Sequence, residues 1–109
     1  VLTMNILIKL ASDNELIAYE ALALAFVLAT FDHNVRLFFD TPAHVLLGDP
    51  NSRVYGMIQS LDLYDMDKAW HDFNDTQMTV FDDNIRRALS DERCVFDDKR
   101  ALFDSVLEF

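Results

Sequence analysis

The tightest constraint on this chain is an apolar stretch, residues 16–31, that opens just after a helix-capping signal and lies between two short apolar runs. The first run, Asn5–Leu10 (NILIKL), places Ile and Leu on both alternating faces. An interior strand covered on both sides by helices requires that pattern. Ser12-Asp13-Asn14-Glu15 then matches a capping box, with Ser12 expected to accept from the backbone of Glu15 while Glu15 reaches back. The spacing predicts a helix from there to about Thr30. Its apolar positions cover most of its circumference, and Ala18, Ala21, Ala23, Ala25 and Ala29 permit close packing. Such a helix is expected to be sandwiched, either between sheet and neighbouring helices or between sheet and another subunit. Residues 16–31 fall short of the roughly 20 apolar residues that a membrane span needs, and they include Glu20.

Asp32-His33-Asn34 forms the next turn, and residues 35–39 (VRLFF) the second strand. Strand, helix and strand within forty residues make a βαβ unit with a right-handed crossover. Thr41-Pro42 starts a short helical turn carrying Val45, Leu46 and Leu47, and residues 48–52 are a loop. Val54, Met57, Ile58 and Leu61 follow helical spacing, which predicts a helix over about 52–61. Further on, residues 66–73 and 78–81 are candidate strands. Ile85, Ala88 and Leu89 are helix-spaced, as are Arg100, Leu102 and Phe103, and residues 105–109 (SVLEF) suit a final strand. The expected fold is a single-domain α/β layer sandwich, residues 1–109, with a mostly parallel sheet of four or five strands and helices on both faces.

Composition agrees. A hydrophobic fraction of 51% with nine Phe supplies a core, and two Gly with two Pro are too few for an all-β chain of tight turns. The formal charge of −10 repels phosphates and anionic headgroups, so no direct nucleic-acid or membrane partner is expected. A single cysteine, Cys94, rules out an internal disulfide, and VLTMNILIKL has no signal-peptide pattern. A reducing, cytoplasmic setting is the expectation. Met4 follows Val1 closely, so residues 1–3 are expected to be an upstream remnant.

Chemistry is sparse. The junction after the first strand, residues 10–15, has no glycine and two carboxylates, which removes phosphate-cradling loops of the P-loop or dinucleotide type. His33, His44 and His71 are dispersed and Cys94 stands alone, so no zinc site is expected; Asp62, Asp65 and Asp67 lack calcium-loop spacing and its glycine. No metal and no cofactor is expected. Cys94 follows Arg93 but sits among Asp91, Glu92, Asp97 and Asp98, whose field favours the protonated thiol. No G-x-S-x-G elbow occurs, and Asp72, Asp75, Asp82 and Asp83 are expected to be solvated acids rather than an acid–base pair. No catalytic residue is assigned. Tyr64, Trp70 and Phe73 are candidates for an interface, since aromatic side chains concentrate where protein surfaces meet; core packing is the other reading of Trp70.

Leu61-Asp62-Leu63-Tyr64-Asp65-Met66-Asp67-Lys68-Ala69-Trp70 resembles a stretch of the DsrF/TusC branch of the DsrE-like sulfur-relay proteins, in which a Leu-Tyr-Asp turn ends a helix and enters a strand bearing a Trp. Val35-Arg36-Leu37-Phe38-Phe39 resembles that family's second strand, and Asp104-Ser105-Val106-Leu107-Glu108-Phe109 its closing strand. The resemblance runs from about Met4 to Phe109. It implies a DsrE-like α/β domain in a heterohexamer of DsrE, DsrF and DsrH, or TusD, TusC and TusB, that passes persulfide sulfur in sulfur oxidation or tRNA thiolation. The principal carrier cysteine belongs to the DsrE/TusD partner, and DsrF/TusC members have cysteines around the strand Trp. Here Ala69, His71 and Asp72 surround Trp70 with no thiol, and Cys94 lies two dozen residues later. The expected role is therefore a non-catalytic subunit that scaffolds DsrE/TusD-like and DsrH/TusB-like partners. The alternatives are a sulfurtransferase carrying persulfide on Cys94, and a self-associating binding protein unrelated to sulfur.

Overall fold

Four parallel strands lie in the order β3-β2-β1-β4 in the computed structural model, which describes residues 3–109. Residues 1 and 2, part of the expected upstream remnant, lie outside the described residues. β1 (Asn5–Leu10) is interior, between β2 (Asn34–Phe39) and β4 (Ser105–Glu108), and β3 (Trp70–His71) lies outside β2. This position accounts for the burial of Ile6, Leu7, Ile8 and Leu10 on both faces of one strand. Register aligns Ile6 with Val35, Ile8 with Leu37 and Leu10 with Phe39 on one face. Leu7, Lys9, Arg36, Phe38, Trp70 and Val106 occupy the other, where Phe38 pairs with Trp70 and Leu7 with Val106.

The helix α1 (Glu15–Thr30) packs Ala18, Ala21, Leu22, Ala25 and Phe26 against the first face. Its cap differs from the expected box. Asn14 is the N-cap, its Oδ1 accepting from Ile17 N at 3.1 Å, while Ser12 Oγ accepts from Asn14 N at 3.0 Å. Glu15 does not fold back: its Oε1 accepts from the amide of Arg53 at 2.8 Å, tying α1 to the first residue of α3 (Arg53–Ile58).

Handedness explains the layering. The steps from β1 to β2 and from β2 to β3 run in one direction, so right-handed crossovers place both connections on one face. There α2 (His44–Leu47), α3 and the 3-10 turn Leu61–Tyr64 join α1. The expected helix over 52–61 is thus split into α3, capped by Ser52, and that turn, which ends on Asp65 at φ 55°. The return from β3 to β4 steps the other way, and the same rule sends it across the opposite face. Residues 94–103, containing α6 (Phe96–Arg100), make that crossing and close a smaller core of Leu7, Phe38 and Phe96. Before it, α4 (Asp75–Val80) and α5 (Asp83–Ala88) lead Phe81, Ile85 and Leu89 into the larger core.

The expected layer sandwich is therefore present, with a sheet that is entirely parallel and four strands wide. A parallel bridge between Ala69 and Leu89 begins a fifth position outside β3. Two strand assignments require correction. Residues 78–81 do not form a strand, because Asn74 and Gln77 make a reciprocal capping box (Gln77 N to Asn74 Oδ1 at 2.8 Å, Asn74 N to Gln77 Oε1 at 3.0 Å) that starts α4. The candidate strand over 66–73 contracts to Trp70–His71. No helix among the described residues is long and apolar enough to cross a membrane.

Candidate functional site

The carboxyl ends of parallel strands are where open α/β sheets usually bind and react. At that edge β2 and β3 finish in register, so the next residue of each, Asp40 and Asp72, stand side by side. Thr41 Oγ1 donates to Asp72 Oδ1 at 3.1 Å, and the Thr41 amide donates to Asp40 Oδ1 at 3.1 Å. Lys9 reaches up from β1, 3.7 Å from both Asp40 and Glu108, with its ammonium 4.4 Å from the Phe96 ring centre. Burial, and then the hydrogen bond to Asp40, push the Asp72 carboxyl up to about 6. The same hydrogen bond leads the effects that hold Asp40 below the usual carboxylate range. The two neighbouring carboxyls thus part in their titration, Asp40 ionising before Asp72.

Beside this pair a cleft of about 330 Å³ is lined by Lys9, Asp72, Arg93, Cys94, Val95, Phe96 and Asp97. Cys94, remote from Trp70 in sequence, is next to its strand in space. The Cys94 amide donates to the His71 carbonyl at 2.9 Å, and its side chain packs in the small core with Trp70. Burial pushes the thiol up, and the opposing influence of Lys99, of the backbone hydrogen bond and of Arg36 does not reverse it. At neutral pH the sulfur is a protonated thiol and a slow nucleophile.

The interface candidates fall in three different environments. Tyr64 is exposed on one side and stacks on Phe26 of α1 on the other, centroids 4.4 Å apart and planes within 4°. Trp70 is half-buried between cations of its own chain, the Arg36 guanidinium at 4.1 Å and the Lys99 ammonium at 4.8 Å, with Phe103 edge-on at 5.7 Å. Phe73 is 1% exposed and packs against Phe81 and the His71 ring. His71 itself is buried. Its Nδ1 accepts from Phe73 N at 3.1 Å, which leaves Nε2–H to donate to the Ser90 carbonyl at 2.9 Å. Burial lowers its pKa, and this neutral ring is a structural pin between β3 and residue 90.

The remaining acids have local tasks. Asp82 caps α5 through Ile85 N at 3.1 Å and accepts the Tyr55 hydroxyl, while Asp83 pairs with Arg86 at 3.7 Å and Asp67 with Arg36 at 3.6 Å. Asp75 is in the first turn of α4, where a carboxylate favours the helix dipole. Among the described residues no group of three or more His, Cys, Asp or Glu could hold a metal ion. Asp40, Lys9 and Thr41 are the site residues that sequence reasoning missed. Their signal is positional: Asp40 and Thr41 follow β2 and Lys9 is the penultimate residue of β1, which becomes readable once the strand register is known. Comparison with protein-family models, with curated proteins and with solved structures finds no match for this chain.

Proposed function

We propose that this chain is a non-catalytic subunit of a sulfur-relay assembly, standing in the place of DsrF or TusC and scaffolding a cysteine-bearing partner. The observation that carries the reading is the state of its one sulfur. Cys94 is half-buried against the small core of Leu7, Phe38 and Phe96, and burial raises its pKa rather than lowering it, so the cleft beside it lacks an activated nucleophile. The stretch 61–70, on which the family resemblance rests, forms a turn closed by left-handed Asp65 and leads into the Trp-bearing strand. That turn leaves Leu63 and Tyr64 at the surface beside α1, as a scaffolding subunit would. Co-expression with DsrE/TusD-like and DsrH/TusB-like subunits, followed by native mass spectrometry, tests it. A stoichiometric complex is expected. A chain that stays alone in the presence of both subunits would end the reading.

One observation favours a second reading, in which Cys94 carries persulfide: the fold brings the thiol to the end of the Trp70 strand, into a cleft with Lys9 and Arg93. Loading with a persulfide donor separates the two. The scaffold reading expects the same sulfur content in wild type and Cys94→Ser when each is complexed, whereas the carrier reading expects sulfur on Cys94 that the serine variant loses.

A further inference from the structure

Eleven large apolar side chains are exposed among the described residues, and six of them, Leu16, Ile17, Val27, Phe31, Leu63 and Tyr64, belong to α1, its C-cap and the adjoining turn. At helical spacing Leu16, Glu20, Leu24, Val27 and Phe31 recur every three or four residues, so they form one outward seam, opposite the alanines that meet the sheet. Leu16 is 60%, Val27 50% and Phe31 66% exposed along this one face, and Leu63 in the adjoining turn is 82% exposed. The stack of Tyr64 on Phe26, a buried residue of α1, holds the turn bearing Leu63 against the helix.

Charge selects what covers this surface. No Lys or Arg occurs between Lys9 and Arg36. Carboxylates flank the seam at Asp13 and Asp32, Glu20 lies within it, and Asp62 and Asp65 flank Leu63 and Tyr64. Arg53 is the cation seated on α1, over the Tyr19 ring at 5.2 Å. A helix face of this length is about 24 Å long and about 10 Å wide, so the seam supplies roughly 240 Å² against the roughly 800 Å² per partner of a standard interface. The rest must come from the acidic flanks. A two-fold contact between copies would set carboxylates against carboxylates on molecules of charge −10 each, and would bury Glu20 without a cation.

We infer that the outward face of α1, with Leu63 and Tyr64, docks a different protein that presents an apolar strip edged with lysine and arginine, and not a second copy of this chain. This rests on the assembly reading above and specifies the chemistry of the partner. The probe is a pair of synthetic helical peptides sharing one leucine seam, flanked in one by Lys and in the other by Glu, titrated against the full chain by fluorescence anisotropy. The Lys peptide is expected to bind at least about tenfold more tightly than the Glu peptide. Val27→Asp, at an exposed position checked by circular dichroism, is expected to weaken it by at least about tenfold, and Glu20→Lys to shift the preference toward the Glu peptide. Equal binding of both peptides, binding untouched by Val27→Asp, or a wild-type dimer in sedimentation that Val27→Asp dissolves would each overturn the inference. Subunits that co-purify regardless of Val27→Asp would sink the docking surface and leave the assembly reading standing. A Lys peptide that binds α1 while neither subunit associates would do the reverse.

Discussion

Asp40 and Asp72 are unremarkable as residue types, and their chemistry arises only because two parallel strands end at the same level. In an unfolded chain both titrate near their ordinary value of about 3.9. In the folded protein Asp72 is pushed up to about 6, so between those two values the native state binds more protons at Asp72 than the unfolded chain does. Stability therefore falls as pH rises through that window. Asp40 has the opposite sign: its depressed value gives stability above the ordinary carboxylate range that is lost as pH falls toward the depressed value. Asp72→Asn removes the first effect and keeps a donor for Asp40. The displacement of Asp72 corresponds to roughly 3 kcal/mol, which screening at a partly solvated carboxyl reduces to about 1 kcal/mol. Urea titrations at pH 4.5 and pH 8 should show the variant more stable by about that amount at pH 8, with a flatter dependence between the two. An unaltered slope would mean that burial and Asp40 do not raise the Asp72 carboxyl.

At the scale of elements, the first forty residues were legible because their signals are local and agree with one another. Apolar runs, turn residues and helical spacing locate β1 and β2 to within a residue and the start of α1 to within two. The cap was misassigned because Ser12 and Asn14 are both good capping residues two positions apart, and only the backbone turn decides between them. In the structure Asn14 accepts from the helix and Ser12 supports Asn14. Asn14→Ala should therefore cost about 1 kcal/mol and Ser12→Ala no more than a few tenths, measured by chemical denaturation. Equal costs would restore the Ser12 cap. The second half was harder. Residues 78–81 look strand-like in composition, yet the Asn74 and Gln77 box was present in the sequence and starts α4 regardless. The closeness of Cys94 to Trp70, by contrast, depends on a crossover that spans the sheet, and no local pattern records it.

At the scale of the whole molecule, the two faces of the sheet are unequally covered. One carries α1, α2 and α3 over a large continuous core, while the other is closed by residues 94–103 alone, anchored by Phe96. Phe96 is 8% exposed, meets Phe38 edge-on at 5.3 Å and lies beneath Lys9 and Arg100. A thin cover held by two aromatics, Phe96 against Phe38 and Phe103 against Trp70, is the kind of unit that opens without global unfolding. Cys94 lies at its first residue and reports on that opening. Amides of residues 94–103 should exchange faster than those of β1, and Phe96→Ala should cost about 3 kcal/mol. In that variant, thiol labelling of Cys94 should accelerate at denaturant concentrations where β1 amides remain protected. Labelling that instead follows global unfolding in both proteins would show the two faces to be one cooperative unit. The cover also sets the access of any sulfur donor to Cys94, because local opening removes the burial that raises the thiol pKa. If the scaffold reading holds, a docked partner should leave this opening unchanged, since α1 and the cover lie on opposite faces of the sheet.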